Sequence, residues 1–351
     1  MGQIVRAIVF TEPGHVALGT FELPEMQSHH LLIKTLYTFV SPGTECRVLM
    51  GHYGASGNFP LIPGYACVGE IIAVGTDVTG YRVGDRVSYC PDIDDELIPQ
   101  GIHSHWGGQV SHHLLPVTSE PVLLPADADP LAYAPAQVAA ISLRGVTAAQ
   151  AQTGETAVVI GQGPIGAFST AWLLARGCRV IVVDVSQSRL DRALANGATA
   201  AVDNSQANAL ERISAYLPQG GADIVIETAG ISATVHLAHQ LLRRTPRAFR
   251  DPIGEAIGRW PRLVYQANYL DTVSIDPWTY FDGEGVVVLT PMDRNTEDRM
   301  VCVEAIRTGA FAARGYIDRV VAVANAPEHY RLLRDEPDAA FSVVFNWQED
   351  N

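Results

Sequence analysis

Residues 156–184, TAVVIGQGPIGAFSTAWLLARGCRVIVVD, constrain the fold more than any other part of the chain. An apolar run ends in Gly161-Gln-Gly163-Pro164-Ile165-Gly166, and a helical pattern and a second apolar run follow. In that context the G-x-G-x-x-G spacing is a dinucleotide-binding fingerprint. Gly161 allows the tight turn, Gly163 lets backbone approach a pyrophosphate, and Gly166 lets helix and strand pack closely. With Pro164 and Ile165 they place phosphates at a helix N-terminus, where free N–H groups and the dipole favour negative charge. Asp184 closes the second run, 18 residues after Gly166. A carboxylate there accepts hydrogen bonds from both adenosine ribose hydroxyls and repels a 2′-phosphate, so the expected cofactor is NAD(H) rather than NADP(H).

The alternation continues through ATAAVD, a helix near 206–217, ADIVIE, a helix near 232–244, RLVYQANY and GVVVLT. Six short apolar runs with helices between the earlier ones describe a parallel sheet covered on both faces. Residues 1–132 differ: VRAIVF, HVALGTFEL, HLLIKTLYTFV, GEIIAVG, GDRVSYC and QVSHHLLPV alternate and are punctuated by Gly and Pro, the pattern of a mostly antiparallel β domain. The expected organisation is α/β: an antiparallel domain over 1–132, a doubly wound parallel sheet over 133–291, and a return to the first domain over 292–351 through RVVAVA and AFSVVFNW. In the second domain Thr228, Ala229 and Gly230 follow the fourth strand, Ala267 and Asn268 end the fifth and Thr290 follows the sixth. Strand ends of this kind are where the nicotinamide half of a dinucleotide lies.

Composition narrows the functional classes. With 351 residues, 47% hydrophobic and 18% charged, the chain can bury a large core, and its net charge of −14 disfavours nucleic acid and anionic membranes as partners. Lys34 is the only lysine among 24 basic residues, which leaves little room for Schiff-base chemistry. The five cysteines, Cys46, Cys67, Cys90, Cys178 and Cys302, are scattered without a CxxC, neither a disulfide framework nor a zinc ribbon. No run of 18 apolar residues exists, and the expectation is a reduced, soluble, cytoplasmic protein.

PGTE (42–45), LIPGYACVGEIIAVG (61–75), GYRVGDRV (80–87), GGQVSHHLLP (107–116), GETAVVIGQGPIG (154–166) and APEHYRLLRDEPDAAFSVVFNW (326–347) together resemble the medium-chain dehydrogenase/reductase superfamily. The resemblance implies a GroES-like β domain followed by a Rossmann domain. Zinc-dependent members hold a catalytic metal where this chain has Pro42, Tyr65, Ala66 and Gln137, none of which supplies a thiolate, imidazole or carboxylate. Cys46 and Cys67 lie four and two residues away from those positions, and the four-cysteine structural-zinc lobe is absent. SPGTE, PGYxxxGE and the closing NW look most like the zinc-lacking branch that includes bacteriochlorophyllide a hydroxyethyl dehydrogenase. By this resemblance Thr44 matches the Ser/Thr proton relay, Glu45 the carboxylate that orients the zinc-bound His, and Tyr65 stands in place of that His. The expectation is that Tyr65 and Thr44 polarise a substrate oxygen while Glu45 orients one of them.

His103 and His105 are candidate substrate contacts, and Trp106 could pack against a ring-containing substrate. His112 and His113 lie on a strand and should face opposite sides. An acidic loop (Asp92, Asp94, Asp95, Glu96) precedes these histidines. Residues 243–262 carry six arginines where the family has a short turn, either a salt-bridged surface loop or an anion-binding flap. The implied function is interconversion of a secondary alcohol and a ketone by an NAD(H)-dependent, zinc-independent oxidoreductase. The alternatives are an NADPH-type quinone or enoyl reductase and a non-catalytic dinucleotide-binding protein. A homodimer paired through the last Rossmann strand is expected by the same resemblance.

Overall fold

A computed structural model of the chain describes residues 3–53, 58–91, 97–98, 101–243, 260–270, 272–274, 285–291 and 296–348. The acidic loop and the arginine-rich stretch from 244 to 259 lie outside the described residues. The chain divides into two compact units, one of residues 1–140 with 296–351, the other of residues 141–295.

The first unit is built on two sheets. The larger runs Arg319–Ala322, Val343–Asn346, His30–Phe39, Cys67–Val74, Arg86–Tyr89, Val122–Leu123, with His112–Pro116 also paired to His30–Phe39. Its pairings are antiparallel except that of Arg319–Ala322 with Val343–Asn346. The smaller runs His15–Glu22, Ile4–Glu12, Leu61–Ile62, His103–Ser104. The closing segments thus return to the first unit, and Val343, Val344 and Phe345 are fully buried against its core. On His112–Pro116, His113 turns inward and is buried while His112 is half-buried, the alternation a strand imposes.

The second unit holds a six-stranded sheet in the spatial order Ala200–Asp203, Arg179–Asp184, Thr156–Ile160, Ile224–Glu227, Arg262–Tyr265, Val287–Leu289. Every pairing is parallel. This is the doubly wound order, with its topological switch between Thr156–Ile160 and Ile224–Glu227. Those two central strands are buried at every residue, as a strand covered on both faces must be, and this is why they read as continuous apolar runs.

Two helices are shorter than their sequence pattern implies. The helix expected near 206–217 spans only Ala209–Ser214. The Asp203 carboxylate accepts from the backbone N–H and hydroxyl of Ser205 and the amide of Gln206, holding a turn that delays the helix. The helix expected near 232–244 ends at Leu241, because Leu242 bridges to Ala222 and the Arg243 N–H donates to the Ala222 carbonyl.

Candidate active site

In the second unit the glycine turn is shaped by contacts that exclude side chains. A Cβ on Gly166 would lie 1.8 Å from the Gly161 carbonyl oxygen, and one on Gly161, at φ +89°, would lie 2.7 Å from the Thr228 hydroxyl. Gly163 faces open space instead, with no atom within 4 Å of its missing Cβ. It caps the helix Pro164–Ala175, whose first N–H groups face that space. Backbone can therefore approach a phosphate there, which fits a dinucleotide. Asp184 ends its strand buried, its carboxylate accepting from the Gln162 N–H at 2.5 Å and the Ser186 N–H at 2.8 Å. Each oxygen keeps a lone pair for a ribose hydroxyl.

Thr228 donates its hydroxyl back to the carbonyls of Ile160 and Gly161, so the loop Thr228-Ala229-Gly230 is tied to the glycine turn. The strand expected to end at Ala267 and Asn268 stops at Tyr265. Its last ladder bond is the Gln266 N–H to the Glu227 carbonyl, and the neighbouring strand ends there. Ala267 and Asn268 follow it half-buried, and Thr290 follows Val287–Leu289 exposed. Two of the six clustered arginines serve structure: Arg243 pairs with Asp223 at 2.7 Å and the buried Arg262 with Glu155 at 2.6 Å.

In the first unit the helix Pro42–Leu49 places Thr44 half-buried and Glu45 fully buried. The Tyr65 hydroxyl is hydrogen-bonded to the side chains of Ser41 and Thr44, and burial holds it well above the ordinary phenol range. Tyr65 is thus a neutral phenol. Its ring meets Trp106 edge-on at 4.8 Å, and Trp106 meets His105 at 4.3 Å and Tyr53 at 5.5 Å. Trp106 adopts φ +66°, a left-handed conformation rare for a bulky residue and concentrated at functional sites. The segment is held there from both sides. The His105, Gly108 and Gln109 N–H groups donate to the carbonyls of Ile62, Gly64 and Pro63. From beneath, His113 Nε2–H donates to the Gly107 carbonyl at 3.0 Å while its Nδ1 accepts from the Tyr89 hydroxyl at 2.8 Å. Burial keeps this histidine neutral, its pKa lowered to about 3.

One expectation about this site changes. Glu45 orients neither Tyr65 nor Thr44: its carboxyl accepts from Tyr330 hydroxyl at 2.5 Å, Ser41 N–H at 2.9 Å and Gln109 Nε2 at 3.2 Å. Its hydrogen-bonded link to Tyr65 runs through the Ser41 backbone. His105 joins the ring cluster, whereas His103 pairs with Leu61 on the neighbouring strand. Ser41, Tyr53, Gln109 and Tyr330 complete the site without having been singled out, although Ser41, Gln109 and Tyr330 stand within or beside the quoted motifs.

Burial pushes the Glu45 carboxyl from 4.5 up to about 7, against the opposing effect of its Tyr330, Ser41 and Gln109 hydrogen bonds. Between about pH 4.5 and 7 the unfolded carboxyl ionises while the folded one keeps its proton, so this group's contribution to stability falls as pH rises through that window. Glu45→Gln removes the slope. Urea midpoints measured from pH 5 to 8 should show wild type losing stability relative to the variant as pH rises, and parallel curves would contradict this.

The positions matching the family's zinc ligands do not fit a metal. Pro42 opens a helix, Tyr65 is engaged by two hydroxyls, and the Gln137 side-chain oxygen accepts from buried Arg299 at 2.8 Å. Cys67 donates its thiol to the Gly108 carbonyl, and burial pushes the Cys46 thiol up to about 12, away from the thiolate a metal needs. Among the described residues no group of three or more His, Cys, Asp or Glu side chains could hold a metal ion.

Comparison with known proteins agrees with this architecture. Residues 27–126 match the alcohol dehydrogenase GroES-like domain family and residues 164–249 the zinc-binding dehydrogenase family. Sorbitol dehydrogenase of Halalkalibacterium halodurans is 29% identical over 258 residues, 68% of this chain and 74% of that protein. Two solved structures share the fold. A protein of Sinorhizobium meliloti 1021 classed with the zinc-binding dehydrogenases and bound to NADP matches with TM-score 0.81 at 22% identity, covering 98% of this chain and 99% of that one. An alcohol dehydrogenase of Escherichia coli CFT073 complexed with NADH matches with TM-score 0.82 at 19% identity, covering 98% of this chain and all of that one (100%). With both family matches in sequence order and both sheets formed, the chain belongs to the medium-chain dehydrogenase/reductase superfamily.

Proposed function

We propose that the protein interconverts a secondary alcohol and a ketone with NAD(H) and without a catalytic zinc, as in the zinc-lacking branch of the superfamily. The observation that carries this is the Tyr65 hydroxyl, held by Ser41 and Thr44 where zinc-dependent members place a ligand histidine. A bound nicotinamide dinucleotide supplies the hydride acceptor or donor. Tyr65 hydrogen-bonds the substrate oxygen and takes its proton during oxidation, passing its own to Thr44, which is half-buried and so within reach of solvent. Ser41 fixes the phenol from the other side, and Glu45, bound to the Ser41 N–H, fixes Ser41. Proton transfer and oxyanion stabilisation thus rest on side-chain hydroxyls.

The rings of Tyr53, His105 and Trp106 beside Tyr65 support a substrate with an apolar ring face, such as a cyclic sugar, a cyclitol or a pigment side chain on its macrocycle. Asp184 supports NAD(H) over NADP(H) and so disfavours the quinone or enoyl reductase reading. The partly exposed strand Val287–Leu289, the last of its sheet among the described residues, is consistent with pairing to a second copy, and no described helix is long and apolar enough to cross a membrane. A cytoplasmic homodimer belongs to this proposal through the resemblance to the superfamily.

A substrate screen on metal-stripped protein tests the proposal. The expected result is full activity with NAD+ that zinc does not raise, a much lower rate with NADP+, and a narrowed difference in Asp184→Gly. Activity restored only by zinc overturns zinc independence, and equal use of both cofactors by wild type overturns the assignment of Asp184.

A further inference from the structure

The proposed mechanism leaves the fully buried carboxyl of Glu227 unused. Glu227 ends the fourth strand of the parallel sheet, fully buried, and no Lys or Arg pairs with it among the described residues. Four donors converge on it. One oxygen accepts from the Ala229 N–H at 2.9 Å, the Gly230 N–H at 3.0 Å and the Thr234 hydroxyl at 2.8 Å. The other accepts from the Tyr269 hydroxyl. These donors come from the loop after the fourth strand, the helix that follows it, and the segment after the fifth strand.

Gly230 sits at φ +71°, so the loop is bent to turn its N–H groups onto the carboxyl. The bend is also fixed at its root, where Thr228 is bonded to the carbonyls of Ile160 and Gly161. The Glu227 carboxyl thus joins the rims of the fourth and fifth strands, while Asp184 joins the glycine turn to the rim of the second. A dinucleotide lying across the switch point rests its adenosine half on the second arrangement and its nicotinamide half on the first.

We propose that Glu227, with Tyr269, is a positioning residue that sets the shape of the nicotinamide side of the cofactor site and leaves the adenosine side untouched. This rests on the dinucleotide reading given above. Loss of the carboxylate frees two loop N–H groups and the Tyr269 anchor, so the loop no longer keeps one shape for the nicotinamide ring and its ribose.

The test is equilibrium binding to the full chain, with NADH followed by fluorescence and ADP-ribose, which lacks the nicotinamide, by calorimetry. Glu227→Ala, which removes both acceptor oxygens, should weaken NADH by about tenfold, the equivalent of one well-made hydrogen bond, and leave ADP-ribose within about twofold. Tyr269→Phe, which removes one donor from a surface segment and keeps the fold, should weaken NADH roughly threefold in the same selective way. Equal weakening of both ligands, or no change in either, overturns the proposal. A wild-type protein that binds ADP-ribose no less tightly than NADH overturns it too while sparing the adenosine side, and one that binds neither overturns the dinucleotide reading itself.

Discussion

Tyr65→Phe should lower turnover by about a hundredfold or more, the contribution expected of a positioned proton donor and acceptor, with little change in the affinity for NADH. The substitution removes one oxygen and keeps the ring, so the packing against Trp106 at 4.8 Å survives and the loss reports the hydroxyl alone. Steady-state rates across pH check it, together with the solvent isotope effect, which should be present in wild type and absent in the variant. The pH profile also separates Tyr65 from its neighbours. Because burial holds the phenol well above its ordinary range, the wild-type rate should not show a phenol ionisation between pH 6 and about 10. Ser41→Ala should fall between wild type and Tyr65→Phe, since Thr44 still holds the phenol. Unchanged turnover in Tyr65→Phe removes this residue from the mechanism and with it the main support for zinc-independent chemistry.

A loss of stability of comparable size is expected at the opposite end of the parallel sheet. Arg262 is completely buried, donates to the Trp260 carbonyl at 2.8 Å and pairs with Glu155 at 2.6 Å. Glu155→Gln removes the carboxylate that pairs with a buried guanidinium, and breaking a buried ion pair costs about 3–5 kcal/mol. For a unit of this size that lowers the melting temperature by roughly 6–20 °C. Arg262→Met should cost less, because the Glu155 side chain is 15% exposed and can be rehydrated. The double variant should recover most of the loss from Glu155→Gln, since replacing a buried pair by apolar groups is often close to neutral. Simple addition of the two single effects would mean the pair is not coupled. The pair is remote from the strand ends that carry Asp184 and Glu227, so NADH affinity in the folded fraction should be unchanged.

The sequence alone determined most of the second unit. Local chemistry fixes a strand, a glycine turn and a helix, and short apolar runs rich in Val and Ile and bounded by turn residues read as strands buried on both faces. Gly161, Gly163 and Gly166 were therefore legible as a turn, because each acts within its own backbone, and Asp184 as the acid that closes the second apolar run. The strand and helix ends were less so. Gln266 and Asp203 show why: the last ladder bond and the competing side-chain bonds depend on neighbours that periodicity does not register.

Only the tertiary structure decided what Glu45 and Glu227 do. The partners of Glu45 come from Gln109 and Tyr330, 64 and 285 residues away along the chain. Gln109 is itself oriented by the Thr38 hydroxyl, which in turn accepts from the Trp347 indole. The closing APEHY and NW segments are thus part of the site's support, a role no local pattern could reveal. A buried carboxyl takes its donors from whatever the fold brings to it, so its function is written in packing, whereas a glycine turn carries its function in its own backbone.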